Sequence, residues 1–243
     1  VQLPEEDAKP GFCMRLNVSM YGTRDAASNW EDKYASHLIA CGLTQGKSSP
    51  CIFFHKERGI RCVVHGDDFT FLGNDEGLDF ATTIMKEEYD IKLRGRLGPE
   101  KGDQKSITIL NRCVEWRQDG IYYEADPRHA EIIVKEMGVA SMAPVVNAGI
   151  KTSALPEEDD PLFDHEHAHK FRRVIARGNF LCQDRTDIQY ATKETAHGMA
   201  NPRQSHWDRL VRLAKYLKGR MRYVIKFGKQ TGVYSINTCG DSD

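Results

Sequence analysis

The chain has no C-x-x-C pair. Its seven cysteines, Cys13, Cys41, Cys51, Cys62, Cys113, Cys182 and Cys239, are odd in number and scattered, which argues against both a zinc site and a disulfide framework and points to a reducing compartment. Most of them lie in apolar runs and read as core fillers. No stretch approaches 18 consecutive apolar residues, so no transmembrane helix is expected. No basic-then-apolar leader opens the chain, whose first residues are Val1-Gln2-Leu3-Pro4-Glu5-Glu6-Asp7, so an intracellular, non-secreted protein is expected. It also lacks an initiator Met and stops abruptly at Asp241-Ser242-Asp243, and so reads as a piece of something longer. There is no surplus of either charge: 34 Lys and Arg against 35 Asp and Glu give a formal net charge of −1. Any nucleic-acid function must therefore rest on a local patch. No internal repeat and no nucleophile-elbow pattern are present.

What is there suffices for a folded protein. The 243 residues can make one large or two small domains, and 40% hydrophobic content can supply a core. Residues 12–20 suit a strand or an extended lead-in. Trp30, Tyr34, Leu38 and Cys41 recur at helical spacing, which predicts a helix over 24–41 ended by Gly42. Strands are predicted at 51–55, 60–65 and 68–73, then a helix at 76–89 capped by Asn74 or Asp75. Further strands are predicted at 90–94, 106–116 and 120–124, with Gln118-Asp119-Gly120 as a turn. Asp126-Pro127 opens a helix to about 138. Residues 139–165 carry Pro144, Pro156, Pro161 and the run Glu157-Glu158-Asp159-Asp160, and read as a linker. Beyond it helices are predicted at 166–182, 186–200 and 203–219, then strands at 222–227 and 232–237. The order of elements is that of an α+β domain followed by a smaller helical one.

The most informative feature is His65-Gly66-Asp67-Asp68, set between the β-type runs Arg61-Cys62-Val63-Val64 and Phe69-Thr70-Phe71-Leu72. Gly supplies the turn and the flanking residues favour strands, so a hairpin presents two adjacent carboxylates at its tip. Adjacent carboxylates repel each other unless a cation sits opposite. Mg²⁺ fits, because it takes one or two carboxylates and leaves positions for substrate phosphates. A solvated Gly-Asp-Asp turn is the other reading.

A second candidate is basic. Arg203, Arg209, Arg212, Lys215, Lys218, Arg220, Arg222, Lys226 and Lys229 face the single acid Asp208 over this segment. Such a face can bind phosphates without sequence preference, or can be a solvated helix face. Lys92, Arg94, Arg96, Lys101 and Lys105 form a looser group that reads as surface. His165, His167 and His169 have no Cys partners and read as surface histidines rather than a metal site.

A resemblance carries more than these patterns. Leu16-Asn17-Val18-Ser19-Met20-Tyr21-Gly22-Thr23-Arg24-Asp25-Ala26-Ala27-Ser28-Asn29-Trp30 resembles the "L-x-K-x-L-Y-G-L-K-Q-A-P-R-x-W" signature of copia-type (Ty1/copia) retrotransposon reverse transcriptases, parts of a Pol polyprotein. Gly42-Leu43 through Ser49-Pro50-Cys51-Ile52-Phe53 follows at the expected place, and His65-Gly66-Asp67-Asp68 falls where the family has its "Y-V-D-D" hairpin. Ile109-Leu110-Asn111-Arg112-Cys113-Val114-Glu115 is similar to "F-L-G-I-E". Phe171 to Leu181, Arg185-Thr186-Asp187-Ile188, His206-Trp207 and Tyr216-Leu217-Lys218-Gly219 resemble the family's helical part, and Cys239 to Asp243 the opening of its ribonuclease H region.

The resemblance implies a fold and a function. The fold is a reverse-transcriptase palm, an antiparallel sheet backed by helices with its N-terminal part missing, over 1–138. A linker at 139–165, a helical thumb/connection region at 166–238 and the start of ribonuclease H at 239–243 follow. The implied activity is RNA-directed DNA polymerisation, with RNA template, DNA primer, deoxynucleoside triphosphates and the rest of the Pol polyprotein as partners. The expected setting is a cytoplasmic virus-like particle or the nucleus. Asp67 and Asp68 are the implied catalytic residues and metal ligands for two Mg²⁺ ions, with Asp67 the direct ligand. Tyr21, Gly22, Arg24, Asp25, His65 and Gly66 are implied near substrate. Arg203, Arg209, Arg212, Lys215, Lys218 and Arg220 are implied at nucleic acid. The family's third carboxylate, in a "D-V-x-x-A-F-L" strand, would precede Val1, so this chain alone is expected to be inactive. The family's Gln and Pro of "K-Q-A-P" are Asp25 and Ala27 here. Two alternatives stand beside this: a non-catalytic nucleic-acid-binding or interaction domain derived from a retroelement, and an unrelated metal-dependent phosphohydrolase, for which no extra ligands are visible.

Overall fold

A computed structural model describes residues 6, 9–13, 15–149 and 159–229. The described residues form an α+β protein with two antiparallel sheets and six α-helices. The chain divides into two compact units, Val1–Leu93 and Arg94–Asp243.

In the first unit, helix α1 (Ala26–Ala40) leads into strands β1 (Thr44–Gln45), β2 (Ile52–His55), β3 (Ile60–His65) and β4 (Asp68–Leu72), then α2 (Asp75–Glu88). The strands follow one another in space as in sequence, so β4 lies at one end of the sheet. Alternation decides the faces: Ile60, Cys62 and Val64 are buried, whereas Arg61, Val63 and His65 are exposed. The inward residues Phe53, Cys62 and Val64 form one core with Tyr34 and Leu38 of α1 and Ile84 and Met85 of α2, and Phe69 and Phe71 pack against it. Asn74 caps α2 by accepting a hydrogen bond from the Gly77 amide. The other face of the sheet is open, with Ile52, Phe54, Val63 and Leu72 exposed.

In the second unit, β5 (Ser106–Ile109), β6 (Arg112–Arg117), β7 (Gly120–Glu124) and β8 (Val224–Gly228) form the other sheet in that order. Helices α3 (Arg128–Glu136), α4 (His165–Leu181), α5 (Gln189–Ala196) and α6 (Gln204–Gly219) share a core built on Ile133, Phe171, Ile175, Ile188, Leu210, Leu213 and Leu217. Val139 and Ala148 belong to that core as well. Gly120 is demanded by close approach: a Cβ there would lie 2.2 Å from the Phe227 carbonyl oxygen of β8.

Several elements differ from the sequence reading. Of the two readings for 12–20, strand or extended lead-in, the described residues there form no strand; residues 90–94, read as a strand, form none either, and Ile91 packs against the first unit's core instead of joining a ladder. The predicted strand 106–116 is a hairpin, because Leu110 and Asn111 adopt φ of 48° and 65° and reverse the chain between β5 and β6. The predicted helix 186–200 is α5 flanked by 3₁₀ turns at Thr186–Ile188 and His197–Met199. Helix α3 starts at Arg128, with Pro127 at the N-cap, and Asp126 accepts the Arg128 amide hydrogen bond. The predicted strand at 232–237 and the segment 239–243 lie outside the described residues.

Candidate active site

The carboxylate pair sits at the tip of a hairpin, Asp67 in a two-residue link and Asp68 at the start of β4. His65 pairs with Asp68 across the end of the β3–β4 hairpin, and Gly66 and Asp67 form the link. Gly66 has φ +63°, and Asp67 is not among the residues with positive φ. A two-residue hairpin with left-handed backbone at its first position selects glycine there. Nothing lies within 4 Å of a Cβ built on Gly66, so the backbone, not crowding, sets the residue. Asp67 is exposed and Asp68 half-buried. Because Phe69 faces the core, Asp68 lies on the open face of the sheet, opposite the exposed His65.

The turn is tied to the helix before it. The Trp30 indole Nε1 of α1 donates to the Gly66 carbonyl at 2.8 Å. The Trp30 ring lies edge-on to Tyr34, Phe69 and Tyr89, with centroids 5.7, 6.3 and 5.5 Å away. Since Trp30 is in the second turn of α1, the residues leading into that helix are at the same end as the hairpin tip. Asp25 stands roughly 7.5 Å from Trp30 along the axis at 1.5 Å per residue. Asp25 occupies the N-cap of α1 without making a capping bond, and Arg24 is exposed. A turn closed by Thr23 N to Met20 O, 3.1 Å, carries Gly22 and a Tyr21 that is 94% exposed. The lead-in is anchored by Asn29 donating to Ser19 Oγ at 3.0 Å. The hairpin tip and the 21–25 segment thus lie toward the same end of α1. Among the described residues, no group of three or more His, Cys, Asp or Glu is placed to hold a metal ion.

The basic residues of the second unit are in different surroundings. Helix α6 buries Leu210, Leu213, Ala214, Tyr216 and Leu217. Arg203 donates to the Asp160 carbonyl at 2.8 Å and Arg209 to the Glu194 carbonyl at 3.4 Å. Lys218 donates to the Ala140 and Met142 carbonyls, each at 2.6 Å. Arg220 is exposed, its guanidinium 5.9 Å from the Tyr216 ring centroid. Arg222 is bidentate to Glu124, and Lys226 bonds Asp119. Arg212 and Lys215 are half-buried. Of the looser basic group, Lys105 donates to the carbonyls of Gly98, Pro99 and Glu100 and closes that loop. His167 serves the start of α4, where Asp164 accepts from its backbone amide and meets its ring.

Two polar clusters have no counterpart in the sequence reading of the site. Arg185 is buried and grips Asp187, which also accepts from the Tyr216 hydroxyl. Asp184 accepts from Arg112 at 2.8 Å and from Tyr123 at 2.5 Å. It lines a small cleft with Asn111, Asp126, His129 and Phe180. The Arg-x-Asp spacing of Arg185 and Asp187 was the available signal for the first. The second joins residues more than 60 positions apart and left no sequence trace.

Over 97% of its length the chain is 22% identical to the Retrovirus-related Pol polyprotein from transposon RE2 of Arabidopsis thaliana. It is 23% identical over 92% of its length to the Retrovirus-related Pol polyprotein from transposon TNT 1-94 of Nicotiana tabacum. It is 25% identical over 93% to the Truncated transposon Ty1-A Gag-Pol polyprotein of Saccharomyces cerevisiae. The chain spans only 16 to 17% of the length of these relatives. No family model and no solved structure matches it. The similarity extends over most of the chain to Pol polyproteins of copia-type retrotransposons, and supports a function derived from a retroelement and a place in a larger polyprotein. Among the described residues no helix is long and apolar enough to cross a membrane.

Proposed function

We propose that this chain is the later palm and the thumb/connection part of a copia-type reverse transcriptase, an RNA-directed DNA polymerase that acts on an RNA template, a DNA primer and deoxynucleoside triphosphates. The observation that carries the reading is the Asp67–Asp68 pair at the hairpin tip, solvent-facing and backed by two helices. The similarity to Pol polyproteins over nearly the whole chain supports it. Asp67 and Asp68 would hold Mg²⁺, since two hard carboxylate oxygens suit an ion that keeps its other positions for phosphate and water. When bound, Mg²⁺ supplies charge stabilisation to the attacking and leaving oxygens of the transfer.

The chain's own residues do the rest. The turn keeps the two carboxylates together at the sheet's end, where Asp67 would be the direct ligand and Asp68, half-buried on the strand, would support it from the side. Tyr21, Gly22, Arg24 and Asp25 flank the same end of α1, where they border the substrate beside His65 and Gly66. Among the described residues β4 pairs only with β3, so its other edge can take a further strand. A strand laid there would bring its side chains to about 4.8 Å in the hydrogen-bonding direction from those of β4. That is where the family's additional carboxylate would complete the site.

Primer extension on a poly(rA)–oligo(dT) duplex with Mg²⁺ tests this reading, using this chain and a longer polypeptide that includes the upstream reading frame. The longer polypeptide extends the primer, and Asp67→Asn lowers the rate by about 10²-fold or more, the scale of losing one group that stabilises transition-state charge. Absence of extension in both, with salt-sensitive duplex binding retained, would instead identify a non-catalytic nucleic-acid-binding domain.

A further inference from the structure

We infer that Trp30 is a positioning residue that fixes the Asp67–Asp68 turn; this rests on the reading of that turn as the metal-binding element. The oxygen that Trp30 holds belongs to the peptide unit joining Gly66 to Asp67, so the 2.8 Å bond from Nε1 sets the plane from which the Asp67 side chain departs. The same indole lies edge-on to Phe69, the residue directly after Asp68, at 6.3 Å and 82°. One side chain therefore touches the chain immediately before and immediately after the carboxylate pair. It is itself held by Tyr34 on α1 and by Tyr89 at the C-cap of α2, at 5.7 and 5.5 Å.

The hydrogen bond is more than a consequence of packing. Trp30 is half-buried, so water could satisfy its N–H, and a phenyl ring would fill most of the same space. A two-residue hairpin tip stands beyond its last strand pair, here His65 with Asp68, and such tips open locally at little cost. An anchor from α1 that bypasses the strands removes this freedom and holds the pair ready for a cation.

The test compares the full chain with its Trp30→Phe variant, which keeps the ring and removes the donor, and with Trp207→Phe as a control in the second unit. Amide hydrogen exchange is read at residues 65–69 and at Ile60–Val64, and Mn²⁺ affinity is read by electron paramagnetic resonance. Loss of one hydrogen bond predicts about 2- to 10-fold faster exchange at 65–69. It also predicts Mn²⁺ affinity lower by a similar factor, with Ile60–Val64 and the control unchanged. A merely structural Trp30 would speed exchange across the whole first unit and leave Mn²⁺ affinity alone, and that result, or unchanged exchange at 65–69, would overturn the inference. If Mn²⁺ affinity in the parent chain is insensitive to Asp67→Asn, the metal reading of the turn fails and the inference falls with it; faster exchange at 65–69 alone would then mark a structural anchor.

Discussion

Arg185 closes on Asp187 two residues ahead of it through two parallel hydrogen bonds, Nε to Oδ1 at 2.9 Å and Nη2 to Oδ2 at 2.7 Å, with the arginine 1% exposed. The remaining donors reach the Met221 and Arg220 carbonyls, and Tyr216 donates to Asp187. The pair thereby joins the turn before α5 to the end of α6. Removing one partner leaves a buried charge uncompensated, which costs about 3–5 kcal/mol. Arg185→Met should therefore lower the unfolding free energy of the second unit by about that much in urea. Arg220→Met, at an exposed site, should change it by less than about 0.5 kcal/mol.

The Tyr123 hydroxyl donates to Asp184, and burial together with that carboxylate pushes its pKa from the ordinary 10 up to about 12. A phenol whose folded pKa exceeds its unfolded one favours folding fully below pH 10. That contribution is lost as pH rises from about 10 through 12. Spectrophotometric titration should show tyrosine ionisation near pH 12, and Tyr123→Phe should reduce that step by one tyrosine. The same variant should destabilise the protein at pH 7 by about 1.5–3 kcal/mol, as a hydrogen bond to a charged group is lost.

On the acid side, burial lowers the pKa of His129, with Arg177 adding to the effect against the pull of Asp126. Burial and Arg209 do the same to His206. Both histidines lie in the second unit. Their neutral forms are favoured in the folded state, so stability is full above the unfolded value of 6.5 and falls as pH drops through it toward the lower folded values. The urea midpoint followed by fluorescence of Trp207, in a background without the other tryptophans, should fall between pH 7 and 5. His129→Gln with His206→Gln should flatten that slope.

The hairpin at the candidate site was legible because its physics is local. Gly at the turn, alternation in β3 and a two-residue link specify register without reference to the rest of the chain. The roles of other residues depended on distant partners. Trp30 reads as a core aromatic until Gly66, 36 positions on, is seen to accept its indole proton. The basic run of α6 reads as one face, yet Lys218 reaches carbonyls at 140 and 142, and Arg222 reaches Glu124. Such pairings across 76 to 98 positions are invisible to a charge pattern. The Leu110–Asn111 reversal was missed for a different reason: neither residue is glycine, and both sit at positive φ in a run that reads as strand.

Binding of a divalent cation at the Gly66–Asp68 turn is the central claim open to direct measurement. Mn²⁺, in place of Mg²⁺, broadens the amide resonances of nuclei close to it, so titrating it into isotope-labelled chain maps the site directly. The resonances of Gly66, Asp67 and Asp68 should broaden first, and Asp67→Asn should abolish the effect while leaving the rest of the spectrum intact. Broadening that begins elsewhere, or that persists unchanged in Asp67→Asn, would contradict the assignment of this turn as a polymerase metal site.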